Sequence, residues 1–185
     1  MTCLSLFPRH GPLRSSATTN GVLVECAAVV QPELNLDGSD TLLRERAWAY
    51  SVEFSAAPAN AGGDDDGGGG GGGGGGGVVS AQLQTRHWYF EDESGQPQTV
   101  DGAGVIGLYP TVTPTMGTPI IYQSQTRIVE YKDKSIAAKE SKCDGKVPNM
   151  RGHFGFVEGT RAAPTGPTFD AVCARVNFIN EEFVY

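Results

Sequence analysis

The chain has 185 residues, of which 39% are hydrophobic, 19% are charged and 26 are glycine. Its formal charge of −7 argues against a general nucleic-acid surface, which works by neutralising phosphates. No run of about 18 apolar residues occurs, so no membrane-spanning helix is predicted.

Residues 1–19 carry Arg9, His10 and Arg14 but no acid, and the first carboxylate is Glu25. That composition fits a disordered or targeting segment. No secretory apolar stretch follows it, so an intracellular protein is expected, either in the cytoplasm or nucleus or in an organelle. From residue 20 to 185 the hydrophobic period is mostly two. Val22, Val24, Cys26 and Ala28 read as a strand ended by Gln31-Pro32. Leu42 to Arg46 has the composition of a helical turn. Trp48, Tyr50, Val52 and Phe54 then alternate with small or polar residues, the mark of a strand with one buried face. The segment 56–77 contains Asp64-Asp65-Asp66 and an unbroken Gly67–Gly77 run. It is expected to be a disordered insertion, an overgrown hairpin loop rather than a domain boundary. Its aspartates read as a solvated run, not a metal site.

The next strand, from Val79 to Phe90, does not keep phase. Val79, Ala81 and Leu83 share one face, whereas Trp88 and Phe90 fall on the other. An extra residue near Thr85 or Arg86 restores a common apolar face and predicts a β-bulge there. The alternative turns Trp88 outward into a binding patch. Ile120 to Gln125, Met150 to Phe156 and Val172 to Phe178 complete the strand set, while Ser135 to Lys142 has helix propensity. Short strands separated by turn signals at Ser94-Gly95, Asp101-Gly102, Asp144-Gly145 and Pro164-Thr165-Gly166-Pro167 predict an all-β antiparallel sandwich.

Cys3, Cys26, Cys143 and Cys173 show no paired spacing of the zinc type. They read as four reduced thiols, with Cys26 and Cys173 serving as small hydrophobes in strands. No metal or cofactor is expected.

Two clusters suggest chemistry. Gly102, Gly104 and Gly107 form G-x-G-x-x-G, but Pro110 and Pro114 follow where a dinucleotide-binding helix would have to open. Two readings survive. Either the loop's N–H groups make an anion-binding nest, or the glycines allow backbone angles and close packing. Arg86-His87-Trp88 is the second cluster. No strained nucleophile elbow accompanies it, so Trp88 is placed in the core and Arg86 on a backbone or carboxylate partner. Enzyme catalysis is not expected.

Leu83-Gln-Thr-Arg86-His87-Trp88 followed by Asp101-Gly-Ala-Gly-Val-Ile-Gly107 and Leu108-Tyr109-Pro110 resembles the ApaG domain. Ile121-Tyr122-Gln123-Ser124, Met150-Arg-Gly-His-Phe-Gly-Phe156 and the ending from Phe169 to Tyr185 resemble further strands of that family, in its eukaryotic branch that closes F-box proteins. The resemblance implies an immunoglobulin/fibronectin-III-like β-sandwich. It also implies a non-catalytic protein–protein interaction module, with bacterial relatives linked to cobalt and magnesium resistance. The alternative it carries is a sensor that binds a nucleotide or pyrophosphate at Gly102, Gly104 and Gly107. Arg86 and His87 join these glycines as candidate ligand- or partner-binding residues. A bulky residue at Gly104 is expected to block binding while sparing the fold.

Three departures from the family pattern stand out. No F-box segment is recognised, so an adaptor role is not carried over. The glycine run is inserted before the R-H-W strand, and Gln125 replaces a cysteine. A basic loop at 127–147 holds Arg127, Lys132, Lys134, Lys139, Lys142 and Lys146. It is either a contact for an acidic partner or nucleic acid, or a solvated insertion.

Overall fold

The computed structural model describes residues 6–34, 42–58, 80–143 and 147–179. Among these residues nine strands and one short α-helix follow in order: β1 (Arg14–Thr19), β2 (Val22–Val30), β3 (Leu43–Ala56), β4 (Ala81–Glu91), β5 (Gln98–Ala103), β6 (Thr111–Val112), β7 (Ile120–Tyr131), α1 (Lys134–Glu140), β8 (Asn149–Gly159) and β9 (Pro164–Asn177), with a 3-10 turn at Pro32–Leu34 after β2. They build two antiparallel sheets, one ordered β1-β2-β3-β7 and the other β5-β4-β8-β9, with β6 paired to β4. This is the all-β antiparallel sandwich that the alternation predicts, of the immunoglobulin/fibronectin-III type that the resemblance implies. Among the described residues no helix is long and apolar enough to cross a membrane.

Alternation explains the core. Val22, Val24, Cys26 and Ala28 from β2 point inward with Trp48, Tyr50, Val52 and Phe54 from β3. Leu83, Trp88 and Phe90 of β4 and Phe154 and Phe156 of β8 meet them from the other sheet. Phe54 packs edge-on against Phe154 with ring centroids 4.7 Å apart. The predicted bulge is present. Leu83 pairs with Phe156 but Thr85 pairs with Gly155, so one residue of β4 is extra between them. The slip returns Trp88 to the inner face, where it is 2% exposed, and the outward alternative is overturned.

Several sequence expectations are corrected. Asp101-Gly102 and Pro164 to Pro167, expected as turns, lie within β5 and β9, where ladder pairing outweighs their turn chemistry. Arg14 to Thr19, assigned to a disordered or targeting segment over 1–19, form β1. The strand pairs residue by residue with β2 from Arg14–Ala27 to Thr19–Val22. Asn20 and Gly21 both have positive φ and make the tight two-residue turn that joins them. Leu42 to Arg46 is not helical. It enters β3, because pairing with β7 from Leu43–Tyr131 onward outweighs a weak local propensity. The segment 127–147 is not one loop. Arg127 to Tyr131 finish β7, and α1 follows with Asp133 as its N-cap, accepting from Ser135 N at 2.7 Å. The insertion at 56–77 begins with Ala56 still in β3; positions 59–79 lie outside the described residues.

Candidate functional site

The glycine loop and the outer face of the second sheet adjoin one another. Arg86 lies opposite Phe154 in the ladder, on the inward side, and its guanidinium passes beneath β5. Its Nη1 donates to Gly104 O at 2.9 Å. A Cβ on Gly102 would come within 2.9 Å of the Arg86 Cζ, so glycine there admits the guanidinium. Arg86 is thus the backbone-bonding residue expected from the sequence, and its role is to hold the loop down.

Beyond it the chain makes a tight turn. Val105 and Leu108 exchange both backbone hydrogen bonds, each at 2.9 Å, and Ile106 and Gly107 both have positive φ. That is a type I′ turn. Gly104 N donates to Gln84 O at 2.8 Å, and a Cβ on Gly104 would stand 2.2 Å from Leu108 O. Two consequences follow. The Gly104 and Val105 N–H groups are committed inside the protein, which removes them from an anion nest. In addition, a tryptophan at Gly104 would break the turn itself, so the expectation that it spares the fold is corrected.

On the outer face, residues two apart on each strand line up across the sheet. Asp101 of β5, His87 of β4 and His153 of β8 occupy one row. The two imidazoles stack with centroids 4.5 Å apart and planes inclined by 22°. His87 Nδ1 lies 2.9 Å from Asp101 Oδ1 and its Nε2 lies 3.1 Å from Thr85 Oγ1. Hydroxyl, imidazole and carboxylate follow the order of an acyl-transfer relay. The Asp101 side chain is 70% exposed, and water screens its charge. What the row accomplishes in place is to tie edge strand β5 to β4. His153 carries no signal in the sequence because it lies 66 positions away from His87; only the β4–β8 register joins them. Among the described residues no group of three or more metal-ligating side chains comes together.

The next rows are Tyr89 with Arg151 and Glu91 with Asn149. The Arg151 guanidinium lies 4.7 Å over the Tyr89 ring and donates to Glu91 Oε1 at 2.9 Å, while Asn149 donates to Oε2 at 3.0 Å. Hydrogen bonding from Arg151 is the main cause holding the Glu91 carboxyl below its ordinary value of 4.5. A carboxyl lowered in the folded state stabilises above its unfolded pKa, and that contribution fades as pH falls through the lowered value. Glu91→Gln is therefore expected to cost about 1 kcal/mol at pH 7. The gap in melting midpoint from the unsubstituted protein should close below pH 4.5; a gap of full size at pH 3 would contradict the assignment.

A hollow of about 200 Å³ lies at the end of this face, lined by Tyr89, Glu91, Asp92, Gly95, Pro97, Lys142 and Cys143. Burial and the nearby Glu93 and Asp92 push the Cys143 thiol up to about 11, so it is an unreactive thiol.

Fold and site together define a two-sheet immunoglobulin/fibronectin-III-type domain with a glycine-built turn projecting beside one sheet edge. A family model described as the ApaG domain matches residues 37–134, and the chain belongs to that family. It is 28% identical over 171 residues to the F-box protein SKIP16 of Arabidopsis thaliana, covering 90% of this chain and 32% of that protein. To Protein ApaG of Afipia carboxidovorans it is 32% identical over 102 residues, covering 52% of this chain and 64% of that protein. The chain thus spans about a third of the first relative's length and just under two thirds of the second's. Among solved structures, one X-ray structure from a structural-genomics programme aligns with a TM-score of 0.57 at 20% identity, covering 90% of this chain and 92% of the other. A Bordetella pertussis protein given the name ApaA aligns at 0.54 and 21% identity, covering 83% and 89%. At these identities the structures speak for the fold alone.

Proposed function

We propose that this ApaG domain is a non-catalytic module that binds another protein through the turn at Val105–Leu108 and the adjoining edge strand β5. The observation that supports it most is Ile106. A β-branched residue in the left-handed region is disfavoured by roughly 1–3 kcal/mol, and asparagine or glycine is the usual occupant of that position. Here Ile106 has φ of +48° and its side chain is 72% exposed, beside Leu108 at 67%. Neither apolar side chain is used by the core. Strain that contributes nothing to packing points to a contact made outside the chain. Edge strand β5, with Val100 also exposed, offers free backbone groups alongside for strand addition.

The nucleotide or pyrophosphate reading has less support, because the N–H groups such an anion needs at Gly104 and Val105 are already paired. For the basic segment, Arg127 faces Glu45 across β3 and β7 at 3.8 Å, which favours a solvated role over a nucleic-acid contact.

Ile106→Asn tests the proposal, since asparagine keeps the turn and relieves its strain. The variant is expected to melt at or above the unsubstituted midpoint while losing a stoichiometric partner recovered by the unsubstituted chain. Equal partner recovery by both would sink it. Titration with inorganic pyrophosphate is expected to leave the amide resonances of Gly102 to Gly107 unmoved, and movement there at saturation would favour the sensor instead.

A further inference from the structure

Cys26 of β2 and Cys173 of β9 come from opposite sheets and share the core between them. Cys26 points inward from β2, and Cys173 points inward from β9. The surrounding contacts hold these two strands in place. Ser15, which faces Cys26 across the β1–β2 ladder, donates its hydroxyl to Ala174 O at 2.8 Å. Thr19 Oγ1 accepts from Val172 N at 3.2 Å. These bonds fasten β1 to β9 on both sides of the cysteine pair. Both thiols are buried and unlinked, and nearly the whole described sandwich lies between them in the chain.

We propose that Cys26 and Cys173 are a disulfide-forming pair, which closes into a covalent, stabilising bridge between the two sheets when the chain folds in the presence of a small-molecule disulfide. The exchange balances without any further reagent. One protein thiolate attacks oxidised glutathione and releases one glutathione thiol. The second protein thiolate then displaces the other glutathione from the mixed disulfide. Two electrons pass from the protein to the oxidant, two S–S partners change, and the two protons leave on the two glutathione thiols.

Order of events follows from the surroundings. In the folded, reduced protein the Cys26 thiol is held well above its ordinary pKa, first by its hydrogen bond with Cys173 and then by burial. Thiolate is the attacking species and both thiols are buried, so the closed sandwich resists oxidation and the bridge forms during folding. The same burial shields the finished bond from reductants. A bridge over so long a stretch of chain restricts the unfolded state strongly.

The full chain is unfolded and refolded in two buffers, one with a glutathione/oxidised glutathione couple and one with a phosphine reductant. Refolding in the couple is expected to lower the intact mass by about 2 Da, the two hydrogens lost. A non-reducing peptide map should then give one cross-link, Cys26 to Cys173. The melting midpoint should rise by roughly 5–15 °C over the reduced form. Cys26→Val keeps an apolar side chain in the core and should show no difference between buffers. Recovery of Cys26 and Cys173 as free or glutathionylated residues would overturn the proposal. So would links from either to Cys3 or Cys143, or a cross-linked form melting no higher than the reduced one.

Discussion

Trp88→Ala is expected to destabilise the protein by about 3–5 kcal/mol and to lower its melting midpoint by roughly 6–20 °C. The indole is fully inside the sandwich and touches aromatic rings from both sheets. Its ring lies 5.5 Å from Tyr50 and 5.2 Å from Phe154, both edge-on, and 6.2 Å from Phe90. The partner across the ladder is Gly152, where a Cβ would stand 2.0 Å from His87 O and 3.2 Å from the indole. The β8 position directly opposite Trp88 therefore supplies no side chain to fill the space left behind, and most of the cavity stays open. Trp88→Phe makes the comparison informative. It keeps most of the ring and deletes an indole N–H that has no hydrogen-bond partner, so its cost should be well under half as large. Urea unfolding of the three proteins checks both figures, and an alanine cost below 1 kcal/mol would place the ring outside the core.

The same tryptophan shows why much of the fold could be read from residues alone. A period-two pattern on a strand reports which face is buried, and one slip in that pattern at Thr85 reported a bulge before any pairing was known. Strand β1 was not legible in the same way. Ser15, Ala17 and Thr19 are too small and too polar to mark an inward face, and the strand is held by β2 and by bonds to β9. A signal was nevertheless present. Asn20-Gly21 immediately before an alternating run is a strong hairpin signature, and it implies a strand on its N-terminal side. Leu42 to Arg46 failed for a different reason. Charged residues on a core-facing period do not look like a strand until their buried partner is known, and that partner lies on β7.

Legibility of the candidate site divides along similar lines. Gly102, Gly104 and Gly107 were visible as a unit because they are adjacent, and the two prolines after them ruled out a dinucleotide-binding helix. Their individual tasks were not visible. Gly102 makes room for Arg86, Gly104 for the Leu108 carbonyl, and Gly107 for the left-handed turn position. The residue with the clearest functional implication, Ile106, sits among them unremarked, since nothing in a sequence reports a positive φ on isoleucine. His153 became relevant only through register, as did the neighbourhood of Cys26 and Cys173. Local chemistry is readable from spacing; chemistry assembled across a ladder or between sheets is not.

Glu130→Ala is expected to cost about 3–5 kcal/mol, as expected when one member of a buried ion cluster is removed. Glu130 is 3% exposed and Arg46 6%. Arg44 donates its Nε to Glu130 Oε1 at 2.8 Å, and Arg46 Nε donates to the same oxygen. Both arginines lie on the core-facing period of β3, the period that carries Trp48 and Tyr50 farther along, with the Arg46 side chain 8% and the Arg44 side chain 19% exposed. Removing the carboxylate leaves two like charges facing each other in a medium that screens them poorly. The loss should therefore persist in 1 M salt, where a surface pair such as Arg127 and Glu45 contributes little. Replacing all three residues together, Arg44→Met, Arg46→Leu and Glu130→Met, removes the buried charge as well as the attraction. That combination is expected to recover most of the loss, because the cluster's large single-residue effect reflects the cost of buried charge that has lost a counter-ion more than the worth of the bond. Chemical unfolding at low and high salt separates the two contributions. A Glu130→Ala cost that vanishes in high salt would mean that water reaches the cluster and that this end of the sandwich is open.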